Sequence, residues 1–86
     1  MLLLHGLADI PANARAGLPV QVHVSDSDDF VPPAAVAAWL DVANGADVRV
    51  FTYPDAGHFY TDASLPDHNE QAASLTWQRV LDFLAA

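Results

Sequence analysis

The chain has 86 residues, with 11 Asp and Glu against 3 Lys and Arg and a formal net charge of −8. That length bounds it to one domain or part of one, and that charge excludes partners recognised through basic patches, namely nucleic acids and anionic membrane surfaces. There is no cysteine, so disulfides, thiolate chemistry from this chain and Cys-based zinc sites are excluded as well.

Leu2 to His5 reads as a short buried strand that halts at Gly6. Buried parallel strands normally have neighbours on both sides. Met1 to Gly6 has no basic flank and no small-residue cleavage site, so it is not read as a signal peptide. No run reaches the ~20 apolar residues of a membrane helix, and a cytoplasmic location is the expectation. Residues 7–18, with Pro11, Asn13 and Gly17, read as a loop or a helical turn. Val20, Val22 and Val24 then alternate with Gln21 and His23, the period of a strand.

Val31-Pro-Pro33 opens a helix, since proline suits a first turn where its missing N–H is no loss. Val36, Trp39, Leu40 and Ala43 fall on one apolar face of that helix, and Asn44-Gly45 is expected to close it as a C-cap pair. Asp47 to Tyr53 is the next strand, broken by Pro54. A loop covers 54–66. Asp67, with Glu70 three residues on, reads as an N-cap box, which puts His68 in the first turn of a final helix that runs to about Leu84. Ala73, Trp77, Val80, Leu81 and Leu84 form its expected apolar stripe, and both tryptophans are expected in the core.

The order strand, loop, strand, helix, strand, helix predicts an α/β fold: about three parallel strands, right-handed crossovers and packed helices. Hydrophobic residues make up 52% of the chain. A chain this short buries only about 60–65% of the surface its unfolded form exposes. Part of the apolar surface is therefore expected to meet another chain or further parts of the same fold.

Two loops carry the chemistry. Ser25-Asp-Ser-Asp28-Asp-Phe-Val-Pro32 follows the second strand, and Pro54-Asp-Ala-Gly-His58-Phe-Tyr60 follows the third. Parallel neighbours lie ~4.8 Å apart and end at one edge of the sheet, so a residue just past one strand can face a residue just past the next. Chemistry in open α/β sheets gathers at that carboxyl edge. Asp28 and His58 occupy those places. An acid that orients an imidazole, and an imidazole that takes a proton from a nucleophile, divide the work as in a nucleophile–His–acid triad. The order acid then His is the α/β-hydrolase order. Each residue alone also fits ordinary turn chemistry. Asp26 and Asp29 stand close enough to be alternatives to Asp28, which the Val31-Pro32 spacing favours.

Nothing else in the chain reads as a site. Ser25, Ser27, Ser64 and Ser74 are the only serines, and none lies in a Gly-x-Ser-x-Gly elbow. The spacing of His5, His23, His58 and His68 matches no His-x-x-x-His ligand pattern, so no metal is expected. His5 ends the first strand and could line the active-site edge, but it is read as a plain strand-end histidine. The four glycines form no phosphate-cradling fingerprint, and no cofactor is expected.

The acid loop resembles the Gly-x-x-Asp-x-x-Val-Pro loop of the dienelactone hydrolase family. Tyr53-Pro-Asp-Ala-Gly-His58-Phe59 resembles that family's Tyr-x-x-Ala-Gly-His-x-Phe loop, and Ala72-Ala73 with Trp77 to Leu84 is similar to its last helix. Met1 to Gly6 looks like the strand that follows the nucleophile elbow. The resemblance implies that residues 1–86 are the C-terminal part of an α/β-hydrolase domain, without its nucleophile-bearing N-terminal part. It implies hydrolysis of a small carboxylic ester or lactone through an acyl-enzyme, with Asp28 as the acid and His58 as the base. The family's nucleophile, usually Cys in Gly-x-Cys-x-Gly, would precede residue 1. Ser25 replaces the family's Gly. Asp62 stands where an Arg that grips the substrate carboxylate follows the His by four residues, and an acid there would repel a dienelactone carboxylate.

Two alternatives stand beside this reading. One is a non-catalytic module that pairs or forms a homo-oligomer through an exposed sheet edge. The other is a split hydrolase whose nucleophile comes from a separate chain. Alone, the chain is expected to be a poor catalyst, because an oxyanion hole by itself can be worth ~10²–10³ in rate.

Overall fold

The alternating run after Leu18 becomes the centre of the sheet in the computed structural model, which describes residues 1–11, 13, 16–43 and 45–85. Strand β2 (Pro19–Ser25) lies between β1 (Leu2–Leu4) and β3 (Asp47–Tyr53). Both pairings are parallel. Leu3 sits opposite Val22, and Val22 opposite Val50. Helix α1 (Pro33–Asp41) joins β2 to β3, and α2 (Glu70–Ala85) follows the histidine loop.

The pleat of β2 sorts its side chains onto two faces. Val20, Val22 and Val24 are buried in one cluster with Ile10, Val31 and Trp39, with Val36, Val48 and Val50 packed against them. Trp39 donates its indole N–H to the Ala8 carbonyl at 2.8 Å, which satisfies the one polar atom of a buried ring. The other face carries Gln21, His23 and Ser25 beside Arg49, Phe51 and Tyr53 of β3. On that side a second cluster holds Tyr53, Ala56, Tyr60 and Ala72, with Phe51 against it.

That second face is more polar than a strand core usually is, and the buried side chains of Gln21, His23 and Tyr53 pair with one another. The amide oxygen of Gln21 only accepts, so His23 donates from Nε2 to it at 2.8 Å. Nδ1 of His23 is then the acceptor, and the Tyr53 hydroxyl donates to it at 2.7 Å. Arg79 of α2 donates to the Tyr53 oxygen at 3.3 Å and lies over the Phe51 ring at 4.3 Å. Burial first, and then the charge of Arg79, lower the pKa of His23 to about 4.

Several expectations about the helices need correction. Helix α2 is capped by Asn69, not Asp67: the Asn69 side-chain oxygen accepts from the Ala72 N–H at 3.0 Å. His68 therefore precedes the helix, and its Nδ1 donates to the Tyr60 carbonyl at 3.0 Å. The buried face of α2 is Ala72, Ala73, Thr76 and Val80, while Trp77, Leu81 and Leu84 are exposed among the described residues. Thr76 won its place because its hydroxyl pairs with that of buried Tyr60 at 2.7 Å. On α1, Leu40 is exposed although Trp39 is buried. That helix ends at Asp41, earlier than the predicted cap. Asn44 lies outside the described residues, and Gly45 takes a positive φ of 78°.

Candidate active site

The acid loop begins where β2 ends. Asp26 still donates its N–H to the Tyr53 carbonyl at 3.1 Å, and the chain then turns. Asp28 holds that turn from within: its Oδ1 accepts from the Phe30 N–H at 2.8 Å, and its carbonyl accepts from the Val31 N–H at 3.1 Å. This is the local bonding for which Asp is favoured in turns. Pro32 and Pro33 then start α1. Ser25, where the family resemblance expects Gly, spends its hydroxyl on the Ala56 carbonyl and so ties the acid loop to the histidine loop.

The histidine loop is held mainly by the segment before α2. Gly57 donates to the Asp67 carbonyl at 3.2 Å, and Asn69 donates its backbone N–H to the Tyr60 carbonyl at 3.0 Å. The Phe59 N–H reaches the Asp67 carboxylate at 3.3 Å. The Asn69 side-chain amide donates to the Asp55 carbonyl at 3.0 Å. Gly57 is required by space: a Cβ there would lie 2.5 Å from Asp67 Cβ and 2.7 Å from its Cα.

These loops bring Asp28 and His58 together. Nδ1 of His58 donates to Oδ2 of Asp28. The Asp28 side chain is fully buried, while that of His58 keeps 20% of its surface exposed. Nε2 of His58 has no hydrogen bond to a described residue. Asp26 and Asp29 are exposed, and neither contacts the imidazole. Two exposed rings flank it, Phe30 at 4.8 Å and Phe59 at 4.3 Å between centroids.

His5, for which the sequence offered both a plain strand-end role and a place lining this edge, stands beside the pair. Its ring lies 6.3 Å from that of His58, and its Nε2 is 2.8 Å from the Thr61 hydroxyl oxygen. The sequence signal was its place at the end of the first strand. Asp62 is exposed and bound to its own turn, where the Ser64 N–H and hydroxyl both donate to Oδ1 at 2.9 and 2.6 Å. Those bonds lower its pKa and keep it ionised. Of the other candidates, Ser27 and Ser64 serve turns, and Ser74 is an exposed residue of α2. Among the described residues no three His, Asp or Glu are grouped to hold a metal ion, and no helix is long and apolar enough to cross a membrane.

Chemically, a buried carboxylate on Nδ1 fixes both the tautomer and the aim of an imidazole. The free Nε2 is then a lone pair at the open edge of the sheet.

Known proteins share this arrangement of sequence and fold. The profile described as "Dienelactone hydrolase family" matches residues 4–86. A Salmonella typhi protein named "Putative carboxymethylenebutenolidase" is 30% identical over 79 residues, which is 90% of this chain and 28% of that protein. The crystal structure of a "Putative Dienelactone Hydrolase" from Klebsiella pneumoniae superposes with a TM-score of 0.73 at 25% identity, over 78% of this chain and 29% of that one. The chain thus spans under a third of the length of either relative. Its three parallel strands and two helices form part of an α/β-hydrolase fold, and with the profile matched over nearly all its residues the chain belongs to the dienelactone hydrolase family.

Proposed function

We propose that these residues are the C-terminal portion of a carboxylic-ester or lactone hydrolase, in which Asp28 is the triad acid and His58 the general base. The observation that carries this reading is the bond from His58 Nδ1 to the buried Asp28 carboxylate, which leaves Nε2 for a nucleophile. The nucleophile comes from outside these 86 residues, which contain no cysteine and no Gly-x-Ser-x-Gly.

In the proposed reaction His58 Nε2 takes the proton of a nucleophilic thiol or hydroxyl as it attacks the ester carbonyl. Asp28 stabilises the imidazolium that results. His58 then gives that proton to the leaving alkoxide, and an acyl-enzyme remains. Water, deprotonated in turn by His58, releases the acid. Ionised Asp62 and exposed Phe30 and Phe59 favour a small neutral ester over a substrate that carries its own carboxylate.

The test is turnover of a p-nitrophenyl ester by this chain joined to, or mixed with, the nucleophile-bearing part of a dienelactone hydrolase. His58→Ala should lower kcat by ~10⁴–10⁶, the usual cost of a triad member. Turnover unchanged by that substitution would remove His58 from the mechanism.

A second reading, a binding module that self-associates, draws on the outer edge of β1 and on the exposed Trp77, Leu81 and Leu84. It predicts a cooperatively melting oligomer without esterase turnover, and a monomer in sedimentation would count against it.

A further inference from the structure

Strand β1 ends on a residue that carries two costs. His5 has a φ of 64°, a left-handed conformation that a side-chain-bearing residue keeps only where its surroundings impose it. One of its ring nitrogens, Nδ1, is buried and has no hydrogen-bond partner. A leucine or phenylalanine would fill the same space without leaving a polar atom unpaired.

What these costs accompany is a set of contacts. The His5 N–H still donates to the His23 carbonyl at 2.9 Å, so the backbone turns only after its last ladder bond. The turn lays the imidazole on the histidine loop. Its ring meets those of Phe59 at 5.7 Å and Tyr60 at 4.9 Å edge-on, with His58 at 6.3 Å. Its Nε2 reaches the Thr61 hydroxyl. One side chain thus touches four consecutive residues, and the first of them is His58.

We propose that His5 is a positioning residue for His58, holding 58–61 so that Nδ1 of His58 stays on Asp28 while Nε2 faces the open edge. This rests on the reading of Asp28 and His58 as an acid–base pair. The tautomer follows from the contacts. A neutral imidazole has one N–H, and a buried N–H without an acceptor is less tolerated than a bare lone pair. The hydrogen therefore sits on Nε2 and is donated to Thr61 Oγ1. Burial opposes a second proton and holds the pKa of His5 below the ordinary histidine value, against the opposite pull of the nearby His58 backbone. His5 therefore shapes the loop without adding a cation beside the base that must accept a proton.

The test is the rate at which the His58 Nδ1 proton exchanges with water in the 86-residue chain, followed by NMR. Thr61→Val removes the hydrogen bond and keeps the volume. It should speed exchange roughly fivefold, the net worth of one such bond. His5→Leu should speed it further, and His5→Gln, which restores a donor, should recover most of the loss. If the melting temperature falls while exchange stays at the wild-type rate in both Thr61→Val and His5→Leu, His5 is only structural and the proposal is overturned. If His5→Leu does not fold, Thr61→Val decides alone. Failure of the catalytic reading is separate: it would appear as full turnover by His58→Ala, whatever the exchange rates.

Discussion

The Asp28 carboxylate divides its two oxygens between two donors, the Phe30 backbone N–H on Oδ1 and the His58 imidazole on Oδ2. An amide cannot do both. In Asp28→Asn one of the two oxygens becomes an NH₂ group, and one donor must then face another. The Phe30 N–H cannot turn away without breaking the loop, so the amide NH₂ is expected to face His58. That forces the imidazole hydrogen onto Nε2, the wrong place for a base. The predicted loss in kcat is ~10⁴, as for an acid-to-amide change in other triads. It is measured in the completed enzyme, with the circular dichroism of the variant unchanged.

Stability should fall as the pH drops from about 6.5 toward 4. His23 is neutral in the fold because its Nδ1 must accept from Tyr53, and its pKa is lowered to about 4 against 6.5 in the unfolded chain. The unfolded state therefore binds more protons across that interval. The stabilisation is fully present above pH 6.5 and lost as pH falls through about 4, with a total on the order of 3 kcal/mol. Urea unfolding at pH 7, 5.5 and 4 reads the trend, and an NMR titration of the His23 imidazole assigns it. A His23 midpoint near 6.5 would refute the assignment.

Gly57→Ala should damage the site from a distance. The new Cβ would meet both the side chain and the backbone of Asp67, which cannot swing aside because its carbonyl and carboxylate hold the same loop. The expected cost is about 1–3 kcal/mol, typical of overpacking. It should be seen as a lower melting temperature together with a weakened bond between His58 and Asp28.

Asn69 separates two roles in one side chain, the cap of α2 through its oxygen and the brace on Asp55 through its nitrogen. Asn69→Ala should cost ~1 kcal/mol or somewhat more, the usual worth of an N-cap. Asn69→Asp keeps the capping oxygen and should fall between the two. Thermal melts of the three chains would show that order, and equal losses for Ala and Asp would contradict it.

Much of this molecule was legible in its sequence because two strong signals agreed. Val20, Val22 and Val24 at period two, and turn chemistry straight after each of β2 and β3, fixed parallel strands and placed Asp28 and His58 at one edge. The misreadings have two physical causes. Periodicity counts apolar residues, but the face against β2 and β3 is polar, so α2 buries Thr76 on Tyr60 and leaves Trp77 and Leu81 outside. The cap went to Asn69 rather than Asp67 because Asp67 is committed to the histidine loop, a contact between segments that no local pattern encodes. The contacts of His5, which the sequence placed only at a strand end, were hidden for the same reason: its bond to Thr61 spans 56 residues.

The central claim is that Asp28 holds His58 with a bare Nε2 ready to accept a proton. The most direct measurement is the ¹⁵N NMR spectrum of the imidazoles in the folded chain at a pH where His58 is neutral. The account predicts that His58 carries its hydrogen on Nδ1, shielded from exchange, that Nε2 shows the shift of an unprotonated nitrogen, and that Asp28→Asn reverses the two. A His58 that carries its hydrogen on Nε2 in the unsubstituted chain would contradict it.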